Sequence, residues 1–87
     1  MNPEEVSALV EAVNKDPTLT NHLTPRELYI FEEYCVKGGK SLRKIAEEVS
    51  DLYGFIISGE RVRQIKARAL RKIKNASLQK LRGETHD

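Results

Sequence analysis

Residues 60–70 read ERVRQIKARAL, and the way this segment is packed decides the fold. Val62, Ile65 and Ala69 recur at steps of three and four, continued by Leu70 and Ile73, which makes one side of an α-helix apolar. Arg61, Gln64, Arg68 and Arg71 or Lys72 recur at the same steps on a different side. Ser58 is placed to cap such a helix, and Glu60 in its first turn suits the positive end of the dipole. The segment therefore predicts an amphipathic helix over about 58–74, with Leu78 and Leu81 extending its apolar stripe if it continues past Asn75.

Three further helices can be read upstream. Asn2, Pro3, Glu4 and Glu5 form a start signal, and Val6, Leu9, Val10 and Val13 follow as an apolar stripe that Asp16-Pro17 ends, so residues 1–17 predict an acidic amphipathic helix. After the polar linker 18–23, Thr24-Pro25-Arg26-Glu27 has the pattern of a capping box. Leu28, Phe31 and Cys35 make the inner stripe of that helix, widened by Tyr29, Ile30 and Tyr34, and Gly38-Gly39 stops it. Ser41 caps the third helix, whose stripe is Leu42, Ile45, Ala46, Val49 and Leu52 or Tyr53, and Gly54 closes it. Phe55-Ile56-Ile57 is too short for a regular element and is expected to be a buried turn. With no strand pattern and no repeat, the fold class is all-α: a small domain of about four helices forming one compact unit.

Leu, Ile, Val and Phe supply 23 of the 87 residues, enough for a modest core. The single cysteine, Cys35, cannot form an internal disulfide, and no Cys/His cluster has metal-ligand spacing. Cys35 follows an aromatic run and reads as an ordinary buried thiol. No phosphate-binding glycine loop is present, and the glutamates fall at helical surface spacings, so neither an enzyme nor a cofactor or metal protein is expected. The acidic start MNPEEVSALVEAV lacks the basic and long apolar regions of a secretory signal, and no run is long enough to span a membrane, which suggests a cytoplasmic protein.

The formal net charge of +2 conceals a separation. Residues 58–82 carry nine Lys or Arg against the single acid Glu60, whereas residues 1–57 carry six bases against ten acids. A solvated helix face normally mixes both signs, so one end of the chain has the footprint of a polyanion binder. A helix of this diameter fits the DNA major groove, where Arg can bond guanine and Gln adenine in bidentate fashion. Arg63, Lys66, Lys72 and Lys74 flank that side as phosphate contacts, and Arg43 and Lys44, in the first turn of the preceding helix, would lie near the backbone. The order of a capped helix followed by a basic one is that of a helix-turn-helix. A plain solvated face and an acidic protein partner or membrane surface remain the rival readings of the basic side, the membrane weakest because the apolar stripe is aliphatic and is wanted for the core.

LTPRE at 23–27, SLRKIAEEV at 41–49 and above all ERVRQIKARALRKIK at 60–74 together resemble region 4 of the bacterial sigma-70 family. That domain recognises the promoter −35 element and docks on RNA polymerase, and the likeness covers residues 23–75 within a unit expected to reach 82. By this resemblance, base-reading and phosphate-contacting positions fall on Glu60, Arg61, Arg63 and Gln64, with Glu60 accepting from a cytosine amine. Arg43, Lys44, Lys66, Arg68, Arg71 and Lys72 complete the expected DNA surface. Two departures stand out: Gly59 where the family usually has arginine and Lys66 where it usually has an acid. The stretch VSDLYGFIISGER is also longer between the two helices than the family's short turn, so either the first helix lengthens up to Tyr53 or the connection bulges.

The resemblance implies double-stranded, promoter-like DNA as partner, with RNA polymerase core or an anti-sigma factor beside it. The rival is a protein-interaction module that binds polymerase or an anti-sigma factor with little DNA binding, motivated by the long connection and by Glu4, Glu5 and Glu11 of the first helix. Monomer and dimer are both compatible with the pattern.

Overall fold

The computed structural model describes residues 1–86, with side chains through Gly83. Helix α1 spans Pro3–Lys15 and is followed by a 3-10 turn, Pro17–Thr20. Helix α2 spans Pro25–Ile30 and runs directly into a π-helical stretch, Phe31–Lys37. Helix α3 is Leu42–Tyr53, and α4 is the long helix Gly59–His86. No strand occurs among the described residues. The all-α expectation therefore holds.

Each helix begins where a side chain can satisfy its free amides. Asn2 Oδ1 accepts from the Glu5 amide at 2.8 Å, Ser41 Oγ from Lys44 at 3.0 Å and Ser58 Oγ from Arg61 at 3.1 Å. The capping box closes both ways: the Glu27 amide donates to Thr24 Oγ1 at 3.2 Å and the Thr24 amide to Glu27 Oε1 at 2.9 Å. Gly54 ends α3 at φ +72°, a conformation that costs other residues steric strain, and its amide donates to the Ser50 carbonyl.

Two apolar clusters share α4 as their common wall. One gathers Ile30, Ile45, Ala46, Val49, Val62 and Ile65 from α2, α3 and the first half of α4, with Tyr29, Tyr34, Leu42 and Ile57 packed on it. The other gathers Leu19, Phe31, Ala69, Leu70 and Ile73, with Val6, Leu9, Val10 and Val13 of α1 laid over it. Ile30 and Tyr34 face the first cluster while Phe31 and Cys35 face the second, so α2 is a wedge between them. Its π-helical stretch begins at Phe31, where the chain must serve both sides. The 28 residues of α4 correspond to about 42 Å of helix, which accounts for the 46 Å long axis of a molecule otherwise 24 by 18 Å.

Four expectations change in detail. Phe55-Ile56-Ile57 is not a buried turn: Ile57 packs against the core, but Phe55 is exposed and Ile56 is 97% exposed. Leu19, in the stretch read as a polar linker, is buried because the 3-10 turn, capped by Asp16, tips it under α1. Ile30 rather than Leu28 is the fully buried residue of early α2. Leu78 and Leu81 do lie on α4, but beyond the reach of the other helices, and both are exposed.

Replacing Ile73 with Ala is expected to lower the unfolding free energy by about 2–5 kcal/mol, the cost of a core cavity. Leu78→Ala should stay within about 0.5 kcal/mol, as surface changes do. Urea unfolding followed by circular dichroism measures both.

Candidate nucleic-acid interface

The apolar stripe of α4 turns its opposite side outward. Arg61, Gln64, Arg68 and Arg71 are all exposed on this side, although the packing that holds them in place is buried. Arg61 Nη1 donates to Gln64 Oε1 at 3.2 Å, so the two side chains lie together across one turn. Glu60 and Arg63 form a second local pair, with Arg63 Nη2 at 2.5 Å and Nε at 3.0 Å from the carboxylate. The Arg63 guanidinium holds the Glu60 carboxyl below its usual range. Arg68 and Arg71 have no hydrogen bond or ion pair within the described residues.

The starts of α3 and α4 lie side by side. A Cβ built on Gly59 would meet the Arg43 amide nitrogen at 3.5 Å and the Leu42 carbonyl carbon at 3.6 Å. Two helix N-termini with their partial positive charge thus converge beside the exposed side chains of Arg43, Lys44 and Arg61. Of the two routes open to the long connection, the first occurs: α3 lengthens to Tyr53, and residues 54–58 bring the chain back to α3's first turn.

Three cations expected as phosphate contacts reach other elements instead. Lys72 Nζ lies 2.8 Å from Oε1 of Glu27, which is only 5% exposed, and so ties α4 to the start of α2. The reason is the capping box: it buries the Glu27 carboxylate, and a buried carboxylate needs a charged partner. Burial pushes the Glu27 carboxyl up, but the Lys72 bond and the Thr24 amide outweigh this and hold it below its usual range. Lys66 lies with its ammonium 4.9 Å from the centre of the Tyr34 ring, on the side of α4 that faces α1 and α2. Lys74, named as a flank, reaches Glu5 of α1 at 3.5 Å.

A second buried carboxylate was not legible as such in the sequence. Glu33, 6% exposed, accepts from Lys37 at 2.7 Å and Lys40 at 2.5 Å, and Lys40 also reaches Glu48, which accepts from the Tyr29 hydroxyl at 3.0 Å. This chain of contacts ties α2 and its π-helical stretch to α3. Lys37 and Lys40 hold the Glu33 carboxyl low, and Glu33 and Glu48 raise the Lys40 ammonium. Burial raises the Cys35 thiol, in keeping with an unreactive packing residue. No group of three or more His, Cys, Asp or Glu residues that could hold a metal occurs among the described residues, and no helix among them is long and apolar enough to cross a membrane.

Compared with protein-family models, curated proteins and solved structures, the chain matches none.

The carboxylates define a pH dependence. Glu27, Glu33 and Glu48 all titrate below their ordinary value near 4.5, so protonation favours the unfolded chain. Their stabilisation is complete above that value and is lost as pH falls through the folded-state values. The urea midpoint of the wild type is expected to drop between about pH 6 and about pH 3, and Glu33→Gln should make that drop shallower.

Proposed function

We propose that this chain is a DNA-binding transcription regulator whose helix α4 reads a short duplex site in the major groove. The observation that carries the reading is that Arg61, Gln64, Arg68 and Arg71 lie exposed along one side of α4, with Arg61 and Gln64 in its first two turns near the paired starts of α3 and α4 and Arg68 and Arg71 further along as flanking contacts. Side chains that can bond base edges then sit at the helix end that enters the groove, with Arg43 and Lys44 placed for phosphates. Glu60 joins the base-reading set by exchanging its intrahelical contact with Arg63 for a cytosine amine, which frees Arg63 for the backbone. Lys72 leaves that set, because its charge is spent on Glu27. The resemblance to sigma-70 region 4 supports a promoter-like site and a role beside RNA polymerase.

A second reading has its own observation. Leu52 and Tyr53 at the end of α3 and Ile56 on the connection are exposed, apolar side chains of the kind that a polymerase subunit or an anti-sigma factor would cover.

Fluorescence anisotropy on a −35-type duplex and a scrambled duplex, at two salt concentrations, separates the two. The DNA reading expects preferential binding that weakens steeply with salt. Absence of binding at low salt refutes it.

Within the DNA reading, Gln64→Ala should relax preference at one base pair, costing about 1–3 kcal/mol there. Arg68→Ala should weaken every duplex about equally and reduce the salt slope by about one. Lys72→Gln should leave that slope unchanged while lowering the urea midpoint.

A further inference from the structure

Residues 54–58 follow a defined path. Gly54 turns the chain, the Ile57 amide donates to Ser50 Oγ at 3.2 Å, and that hydroxyl donates to the Ala46 carbonyl at 2.8 Å. On the other flank the Arg26 guanidinium lies 5.3 Å from the centre of the Phe55 ring, and the Tyr53 ring packs against Phe55 at 6.3 Å. Ile57 is thereby turned into the core and Ile56 is turned out, 97% exposed. Such an isoleucine adds nothing to the core, yet its backbone is held on both sides.

Ile56 also lies at a particular place. With Arg43, Ser58 and Gly59 it borders an open groove beside the starts of α3 and α4. At most about 14 Å of chain separates it from Glu60, and the major groove is about 12 Å wide. A docking that brings the first turn of α4 to base edges thus leaves Ile56, which shares a groove with Gly59 and Arg43, within about one groove width of them. Glu47 and Asp51, one and two turns further along α3, border the groove too and disfavour a phosphate against that wall. The fitting contact for a branched aliphatic side chain is the one apolar group that the major groove presents, the 5-methyl of thymine.

We infer that Ile56 is a specificity-determining residue that packs on a thymine methyl group at the edge of the site read by α4. The inference rests on the DNA reading proposed above and deepens it. The connection, longer than in the sigma pattern that the chain resembles, would thereby add an apolar reading element to a helix whose own exposed side is polar.

The test begins with selection of a preferred duplex by the full chain from a random pool. Each thymine of the selected site is then replaced by deoxyuridine, which removes only the methyl group, and affinity is read by anisotropy. The wild type is expected to lose about four-fold at one position, the worth of one buried methyl group. Ile56→Ser should bind the thymine and deoxyuridine duplexes equally while keeping the discrimination due to Gln64. Because Ile56 lies outside the core, an unchanged urea midpoint shows that the variant is folded. Equal binding of thymine and deoxyuridine by the wild type, a methyl effect that persists in Ile56→Ser, or a selected site without thymine overturns the inference alone. In the first two cases the exposed isoleucine is left to a protein partner. Selection that yields no preferred site overturns the DNA reading and this inference with it.

Discussion

The apolar stripe Val62, Ile65, Ala69, Leu70 and Ile73 is the constraint on which the other elements depend. Each of these residues is at most 5% exposed, and together they floor both hydrophobic clusters. Helix α1 has no fully buried residue of its own and holds its place by resting Val6, Leu9, Val10 and Val13 on the second cluster. Helix α3 buries Ile45, Ala46 and Val49 against the first. Since α4 rotates only at the expense of both clusters, the direction of Arg61, Gln64, Arg68 and Arg71 is fixed by residues on the opposite side of the same helix. Packing thus determines which side chains are offered to a ligand.

The lysines of α4 differ from three of its arginines. Lys66, Lys72, Lys74 and Lys80 each reach another element: the Tyr34 ring, Glu27, Glu5 and Asp16. Arg61, Arg68 and Arg71 make no ion pair with another element among the described residues. A flexible ammonium on a long stem can bend toward a carboxylate at its own helix's margin, while a planar guanidinium offers a fork of donors suited to base edges and phosphates. A sum of positive charge over residues 58–82 hides this division, because it counts internal ties and outward-facing groups alike.

That division is also where the sequence stopped being legible. Caps, helix order and the α4 stripe were readable because each follows from local rules: Asn2, Thr24, Ser41 and Ser58 bond amides three residues ahead of themselves. The exposed cluster of Arg61, Gln64, Arg68 and Arg71 was readable from the same periodicity. The pairing of Lys72 with Glu27 joins residues 45 apart in the chain, and periodicity carries no information at that range. The burial of Leu19 escaped for a similar reason, since it depends on where α1 comes to rest. The π-helical stretch leaves no mark in a stripe of alternating Ile30, Phe31, Tyr34 and Cys35 that a regular helix could also present. Phe55-Ile56-Ile57 was read as buried because three large apolar residues in a row normally are; only one of them finds the core.

The long connection and Gly59 belong to one solution. If α4 is to keep its stripe on the core after α3 has been lengthened to Tyr53, the chain must run back beside α3, and it does so over five residues. This return brings the backbone at Gly59 so close to Leu42 and Arg43 that a Cβ would already be in van der Waals contact with the backbone of α3. A larger side chain at 59 would start in ordinary van der Waals contact with α3 and leave along the surface. Arg43, brought there by the return of the chain, and Ile56, contributed by the connection itself, are exposed and border the same groove as Gly59. The connection thus sets which side chains stand beside the start of α4 while leaving the direction of α4 to the core.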